Sequence, residues 1–223
     1  AALAPGLGLG LATVLLAAGI AKQGAVLAAL VLLAVCVPLW WLFGRRGAGW
    51  LSVFAGPVFG LAHIAPVAPL LAGFVMPPLQ AAALSALGAL LTMGASAASG
   101  ASAPFVSVLP HLFIQPWSTA GGSHAFEPLT SSAAPVAVVL GWAAAAALMS
   151  LCSRSSSRLM ALLGVVLGTL PLTGGYLLAD VLARAGNASV TWAGLPLLLG
   201  VGASSILMVV VIVAGPPTRP EEE

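Results

Sequence analysis

Charged side chains are scarce in this sequence. Asp, Glu, Lys and Arg make up only 5% of the 223 residues, and 61% of the residues are hydrophobic. A soluble domain carries roughly 25% charged residues, so this chain cannot cover itself with a water-facing polar surface. The mean hydropathy of +1.14 therefore predicts an integral membrane protein whose core forms between helices.

Basic clusters, cysteine frameworks and catalytic motifs are also missing. No basic cluster exceeds the pair Arg45-Arg46, so the sequence offers no support for a nucleic-acid partner. Cys36 and Cys152 lie in or at the end of apolar segments, which is typical of small buried hydrophobic residues. There is no P-loop, HExxH, GxSxG or CxxC motif. We therefore predict no catalytic residue, no cofactor and no metal site, and a chain that is not itself an enzyme.

Six apolar segments have the length and composition of membrane-spanning helices. They cover residues 3–20, 25–43, 79–98, 136–152, 159–180 and 194–214. The fold class that we predict is all-α: a polytopic transmembrane helical bundle over residues 1–215, followed by a polar cytoplasmic tail over residues 216–223.

A seventh apolar segment, 51–76, differs from the six spans because it contains several prolines. As one helix its 26 residues would be about 39 Å long, more than a bilayer core requires. Pro57, Pro66 and Pro69 each remove a backbone donor and disfavour helix just before them. We predict that these prolines, with Gly73, form a proline-broken or re-entrant segment whose freed carbonyl groups are covered by neighbouring helices.

The few basic residues predict an orientation in the membrane. The positive-inside rule places Arg45-Arg46, Arg154, Arg158 and Arg219 on the cytoplasmic side. If segment 51–76 enters and leaves the membrane on the same side, six spans are enough to place all these arginines on the cytoplasmic side. Both termini are then cytoplasmic, and residues 99–133 lie outside.

Three histidines are candidate binding residues. His63 lies in the proline-broken segment, where an ionisable group is a functional hypothesis by default: a proton relay, a ligand contact or a metal ligand. The alternative is a neutral histidine that bonds a carbonyl freed near Pro66. His111, His124 and Glu127 supply metal-ligand types, but their spacing matches no zinc pattern and solvated loop residues are the simpler interpretation.

Asp180 and Tyr176 are the remaining candidates. Asp180 follows Arg158 by about one bilayer thickness and precedes Arg184 by four residues, which favours an interfacial ion pair over a buried ion site. Tyr176 is the last residue of a polar stretch that follows Pro171. This stretch is either a polar site at a helix kink or a kink that serves only helix packing. Small-residue pairs at helix-packing spacing occur at three places: Gly6/Gly10, Gly56/Gly60 and Gly164/Gly168.

Two stretches carry a resemblance to a known family. They are Trp40-Trp41-Leu42-Phe43-Gly44-Arg45-Arg46 and Pro66-Val67-Ala68-Pro69-Leu70-Leu71-Ala72-Gly73-Phe74. Residues 32–98 resemble the multi-pass membrane domain that follows the kinase domain in some actinobacterial serine/threonine protein kinases. The resemblance implies a bacterial plasma membrane as the location, a kinase domain upstream of Ala1, in the cytoplasm, and a chain that anchors it or senses a signal for it. No kinase signature is present, so no catalytic residue is implied here.

Two other functions fit the same composition. Residues 69–90 also resemble substrate-binding membrane subunits of energy-coupling vitamin transporters, which have six helices, although few polar groups are present to line a vitamin site. A structural subunit of a larger membrane complex is the third possibility. The predicted partners are thus the lipid bilayer and either a protein partner or an N-terminally fused cytoplasmic domain.

Overall fold

The computed structural model describes residues 64–98, 133–155, 157–185 and 195–215, together with the helical positions 14, 18, 33, 53, 55, 56 and 59. All regular structure in these ranges is helical, and no strand occurs there. The helices are α1 (Val67–Val75), α2 (Pro78–Ala98), α3 (Ala134–Ser153), α4 (Arg158–Ala185) and α5 (Leu195–Ala214). The all-helical class predicted from the sequence is confirmed.

The helix bounds follow the apolar segments of the sequence closely. α2, α3 and α5 begin and end within two residues of the predicted spans, whereas α4 continues five residues past 180 to Ala185. Two of the described helices, α3 and α4, are long and apolar enough to cross a membrane. Apart from the helical positions 14, 18 and 33, the predicted spans 3–20 and 25–43 lie outside the described residues, as does the tail 216–223.

α3 and α4 form an antiparallel helical hairpin, and glycines set their close approach. A Cβ atom added to Gly141 would lie 3.2 Å from the Cα of Gly175, and one added to Gly164 would lie 2.8 Å from the Cβ of Cys152. Residues near the end of α3 therefore contact residues near the start of α4. Such close backbone approach maximises van der Waals contact between helices that gain little from the hydrophobic effect in lipid.

α2 runs antiparallel to α3 on the other side of the hairpin. Near its start, the hydroxyl of Ser150 donates to the carbonyl oxygen of Met76, at the junction of α1 and α2. Near its end, Thr92 and Trp142 both border Gly56, because a Cβ atom there would overlap Thr92 and lie 3.3 Å from the Trp142 ring. α3 is thus central, with α1, α2 and α4 packed around it.

The interior and the exterior of the bundle use different apolar side chains. Many interior positions are alanine or glycine, interspersed with fully buried Trp142, Tyr176, Leu70 and Leu172. The outward faces of α3, α4 and α5 carry large aliphatic side chains, more than half of whose surface is exposed: Val136, Leu140, Leu151, Leu159, Val166, Leu170, Leu178, Val181, Leu199, Ile206, Val210 and Val213.

Candidate functional site at the interrupted helix α1

α1 is a nine-residue helix bounded by prolines. Pro66 caps its start with φ −61°, and Met76 leaves the helix in an extended conformation just before Pro77. At 1.5 Å per residue, α1 is about 14 Å long, less than half the thickness of a bilayer core. Six of its nine residues are nevertheless buried, so a short helix with free backbone groups lies inside the bundle.

The carbonyl groups at the end of α1 are bound by serines of α3. The carbonyl of Gly73 would normally accept from the backbone nitrogen of residue 77, but Pro77 has no N–H group. The Ser153 hydroxyl donates to this carbonyl at 3.2 Å, and the Ser150 hydroxyl donates to that of Met76 at 2.6 Å. Ser153 thus supplies the donor that Pro77 removes, and Ser150 binds the carbonyl of the residue at which the helix ends.

The start of α1 is bound in a similar way by α5. The carbonyl oxygen of Ile64 accepts from the backbone N–H of Val67 at 2.9 Å and from the Ser204 hydroxyl at 3.3 Å. The same hydroxyl donates to the carbonyl of Gly200 in its own helix at 2.6 Å, so its single proton is shared and the bond to Ile64 is the longer branch. Serine hydroxyls from two different helices therefore hold the two ends of α1.

Gly73 allows α1 to reach α3. A Cβ atom at this position would overlap the carbonyl oxygen of Ala146 and lie 2.7 Å from the Cβ of Met149. Because the obstructing atoms are backbone and Cβ atoms, no side-chain rotation would relieve the overlap. The glycine is thus required for the approach that brings Ser150 and Ser153 within hydrogen-bonding distance.

The described groups that contact α1 are neutral. Serine hydroxyls and backbone carbonyls can hold a polar ligand or fix a helix, but the contacts described around α1 include no general base that would activate a serine as a nucleophile. Among the residues that the structure describes, no group of three His, Cys, Asp or Glu side chains could hold a metal ion. The arrangement is suited to positioning a helix inside a bundle.

Tyr176 lies at the centre of the α3–α4 interface. It is fully buried, and its hydroxyl oxygen accepts a hydrogen bond of 2.8 Å from the indole nitrogen of Trp142. A buried Trp or Tyr normally finds such a partner because an unpaired polar group in an apolar interior is costly. This bond joins the middle of α3 to α4 and orients both large side chains.

Asp180 lies near the end of α4, one turn beyond Tyr176. The predicted i,i+4 pair is present: an oxygen of Asp180 lies 2.6 Å from a guanidinium nitrogen of Arg184. Asp180 itself is only 8% exposed, whereas Arg184 reaches outward from the bundle. The helix continues past the pair to Ala185, so the acid lies inside the last turns of α4 rather than at its end.

The other predicted site residues divide into two groups. Pro66 and Pro69 lie at the start of α1, and both are buried. His63, His111, His124 and Pro57 lie outside the described residues, so the structure does not show what surrounds them. Of the predicted binding candidates, Tyr176 and Asp180 lie one helical turn apart on α4.

The partners of α1 and Tyr176 were not identified from the sequence. Ser150, Ser153, Ser204 and Trp142 occur in apolar segments without any local motif. Ser150 is 74 residues from Met76, and Ser204 is 140 residues from Ile64. A usable signal exists for the serines: an apolar helix that carries hydroxyl groups is a plausible neighbour for a segment whose prolines free carbonyl oxygens.

Comparison with known proteins adds no relative. No family model, curated protein or solved structure matches this chain.

Proposed function

We propose that this chain is a multi-pass membrane domain that anchors a larger protein in a bacterial plasma membrane. The observation that carries this proposal is the outward face of α3, α4 and α5, where large aliphatic side chains are exposed along the helices. A soluble monomer rarely exposes contiguous apolar patches of this extent. Lipid acyl chains would cover such a surface without any further protein.

The positions of charged residues on α4 fit the thickness of a bilayer. Arg158 starts the helix, and Asp180 lies 22 residues later, which corresponds to about 33 Å. The hydrocarbon core of a bilayer is about 30 Å thick. The residues between the two are uncharged, so the helix can cross the core with Arg158 at one surface and the Asp180–Arg184 pair at the other.

The orientation that we propose has six spans, with segment 51–76 entering and leaving on the cytoplasmic side. The Arg158 guanidinium donates to the carbonyl of Gly215 at 3.2 Å, so the start of α4 and the end of α5 lie together. Both termini would then be cytoplasmic, by the positive-inside rule applied to Arg154, Arg158 and Arg219. Residues 99–133 would form an outside connection.

The anchoring role rests on the resemblance of residues 32–98 to the membrane domain of actinobacterial serine/threonine kinases. The contacts around α1 agree with a non-catalytic role, since they fix a helix by neutral hydrogen bonds and close glycine packing. The experiment is to read the genomic coding sequence before the codon of Ala1. A kinase domain joined in frame supports the anchor, and a start codon at that boundary contradicts it.

Membrane integration is tested separately by washing membranes that contain the full chain with alkaline carbonate. An integral protein stays in the pellet because its apolar faces remain in the bilayer. Release into the supernatant would contradict the membrane proposal whatever the gene context shows.

A small transport module is the second candidate, and the interrupted helix α1 favours it. Transporter sites are commonly built from discontinuous helices whose free backbone groups face a cavity, and α1 has free carbonyl groups at its end. Here the Ser150 and Ser153 hydroxyls occupy those carbonyls. Purification of the chain in complex with an ATPase pair would favour transport over the anchor.

A further inference from the structure

We infer that the turn between α3 and α4 is a binding site for an anionic phospholipid, and this inference rests on the membrane location proposed above. We call the described residues of this turn, 153–155, 157 and 158, the arginine turn. It combines two exposed cationic side chains, Arg154 and Arg158, with an apolar surface directly beside it. A phospholipid with a net negative headgroup matches both parts.

The two guanidinium groups of the arginine turn have N–H donors left for a ligand. The Arg154 guanidinium has no hydrogen-bond or ion-pair partner in the described structure, and the Arg158 guanidinium donates one hydrogen bond, to the carbonyl of Gly215. Each guanidinium has five N–H donors in a planar fork that suits phosphate oxygens. Several donors on each arginine therefore remain for a headgroup phosphate.

No carboxylate competes for these arginines within the described part of the chain. The one acidic residue in the described ranges is Asp180. It lies 22 residues after Arg158 on α4, where it pairs with Arg184. The arginine turn consequently presents positive charge that is not neutralised by the neighbouring helices described. In this respect it differs from the opposite end of α4, where the charges of Asp180 and Arg184 cancel.

The apolar part lies on the adjoining turns of both helices. Leu151 precedes the arginine turn on α3, and Leu159 and Leu163 follow it on α4; all are exposed, with Leu159 at 73%. These leucines lie directly next to the arginines along the helices, in the same way that the acyl chains of a phospholipid lie directly next to its headgroup. A soluble anion would use only the arginines, whereas a phospholipid would use both parts.

The negative charge of the membrane surface also favours a lipid as the ligand. Anionic lipids give the cytoplasmic leaflet a negative surface potential, and basic groups beside a helix end are attracted to it by an amount equivalent to about fivefold in affinity for each arginine. The orientation proposed above places the arginine turn at that leaflet. Phosphatidylglycerol is therefore the probe of choice, with zwitterionic phosphatidylcholine as its matched control.

The test is native mass spectrometry of the full chain, purified in a non-ionic detergent and titrated with each lipid. We expect wild-type protein to bind phosphatidylglycerol more tightly than phosphatidylcholine. Arg154→Gln should weaken phosphatidylglycerol binding about fivefold and the double variant Arg154→Gln/Arg158→Gln about 25-fold, with phosphatidylcholine binding unchanged. Arg158→Lys keeps the charge but loses the planar fork, so its phosphatidylglycerol affinity should lie between those of wild type and Arg158→Gln.

Arg184→Gln is the matched control, because it removes one arginine from the other end of α4. Its phosphatidylglycerol affinity should equal that of wild type. Equal affinity of the wild type for the two lipids, or an equal loss in Arg184→Gln and Arg154→Gln, would overturn the inference. So would displacement of phosphatidylglycerol by an equal concentration of inorganic phosphate. A carbonate wash that releases the chain would instead overturn the membrane proposal, so the two failures are distinguishable.

Discussion

The two sides of helix α4 are built from different residues, although both are apolar. The side that faces α3 carries Gly164, Gly168 and Gly175, whose Cα atoms lie against the backbone or Cβ atoms of that helix. The outward side carries Val166, Leu170 and other large aliphatic residues that are exposed. A soluble helix places large apolar side chains inward and polar ones outward.

This arrangement shows which interactions hold the bundle together. In lipid, an outward leucine is already in an apolar solvent, so burying it yields little, and helices associate through close packing and interhelical hydrogen bonds instead. Small residues facing inward, the Trp142–Tyr176 bond and the serine bonds to α1 are such interactions.

The largest difference is expected between two leucines on α4. Leu172 is 1% exposed and Leu170 is 63% exposed. Leu172→Ala should lower the free energy of unfolding by about 2 kcal/mol or more, because it leaves a cavity at the α3–α4 interface. Leu170→Ala should change it by less than about 0.5 kcal/mol. Unfolding by SDS titration in mixed micelles measures both, and equal effects would show that the two sides do not differ.

Two adjacent glycines on α4 give a second matched pair. A Cβ atom at Gly175 would lie 2.9 Å from the carbonyl oxygen of Ala137, whereas nothing lies within 4 Å of one at Gly174. Gly175→Ala should destabilise the bundle by about 1–3 kcal/mol through overpacking. Gly174→Ala should be neutral or stabilise it by up to about 1 kcal/mol, since alanine favours helix. Thermal loss of monodisperse protein should rank them in this order.

The buried bond between Trp142 and Tyr176 should contribute an intermediate amount. Tyr176→Phe keeps the ring but leaves the Trp142 indole N–H without this acceptor, and we expect a loss of about 1–2 kcal/mol. A double-mutant cycle with Trp142→Phe isolates the pair from changes in packing. If the two substitutions are additive, the bond does not couple α3 to α4.

The serine bonds to α1 should have the smallest effect. Ser204→Ala removes the hydroxyl that joins α5 to the carbonyl of Ile64, and we expect a cost of about 0.6 kcal/mol, typical of interhelical bonds in membrane proteins. Ser205→Ala is the control, because the Ser205 hydroxyl bonds Val201 within its own helix. A cost for Ser205→Ala as large as that for Ser204→Ala would contradict an interhelical contribution.

Within the described part of the chain, the sequence predicted the helix bounds well because each helix is a local property. The apolar runs gave bounds for α2, α3 and α5 within two residues, and Pro66 and Pro77 mark the ends of α1. The sequence placed the end of this membrane span at about 180, and the helix itself continues to Ala185. The Asp180–Arg184 pair spans one helical turn within that continuation.

The contacts between helices could be predicted only in part. Gly164 and Gly168 stood out because they are four residues apart on one helix, and both lie at the α3–α4 interface. Their counterparts Gly141 and Gly175 lie on different helices, and no spacing rule joins them. The same holds for the partners of α1, since alignment of Ser150 with Met76 depends on the relative positions of α3 and α1 rather than on either sequence alone.

The most direct test of the membrane account is the accessibility of single cysteines along α4. In a background with Cys36→Ala and Cys152→Ala, the variants Ser157→Cys, Leu170→Cys and Ala185→Cys place a thiol before, within and at the end of the helix. With a membrane-impermeant maleimide we expect Ala185→Cys to react from outside the cell, Ser157→Cys to react only after the membrane is opened, and Leu170→Cys to react in neither case. Reaction of Ser157→Cys and Ala185→Cys from the same side, or ready labelling of Leu170→Cys, would contradict a lipid-embedded α4.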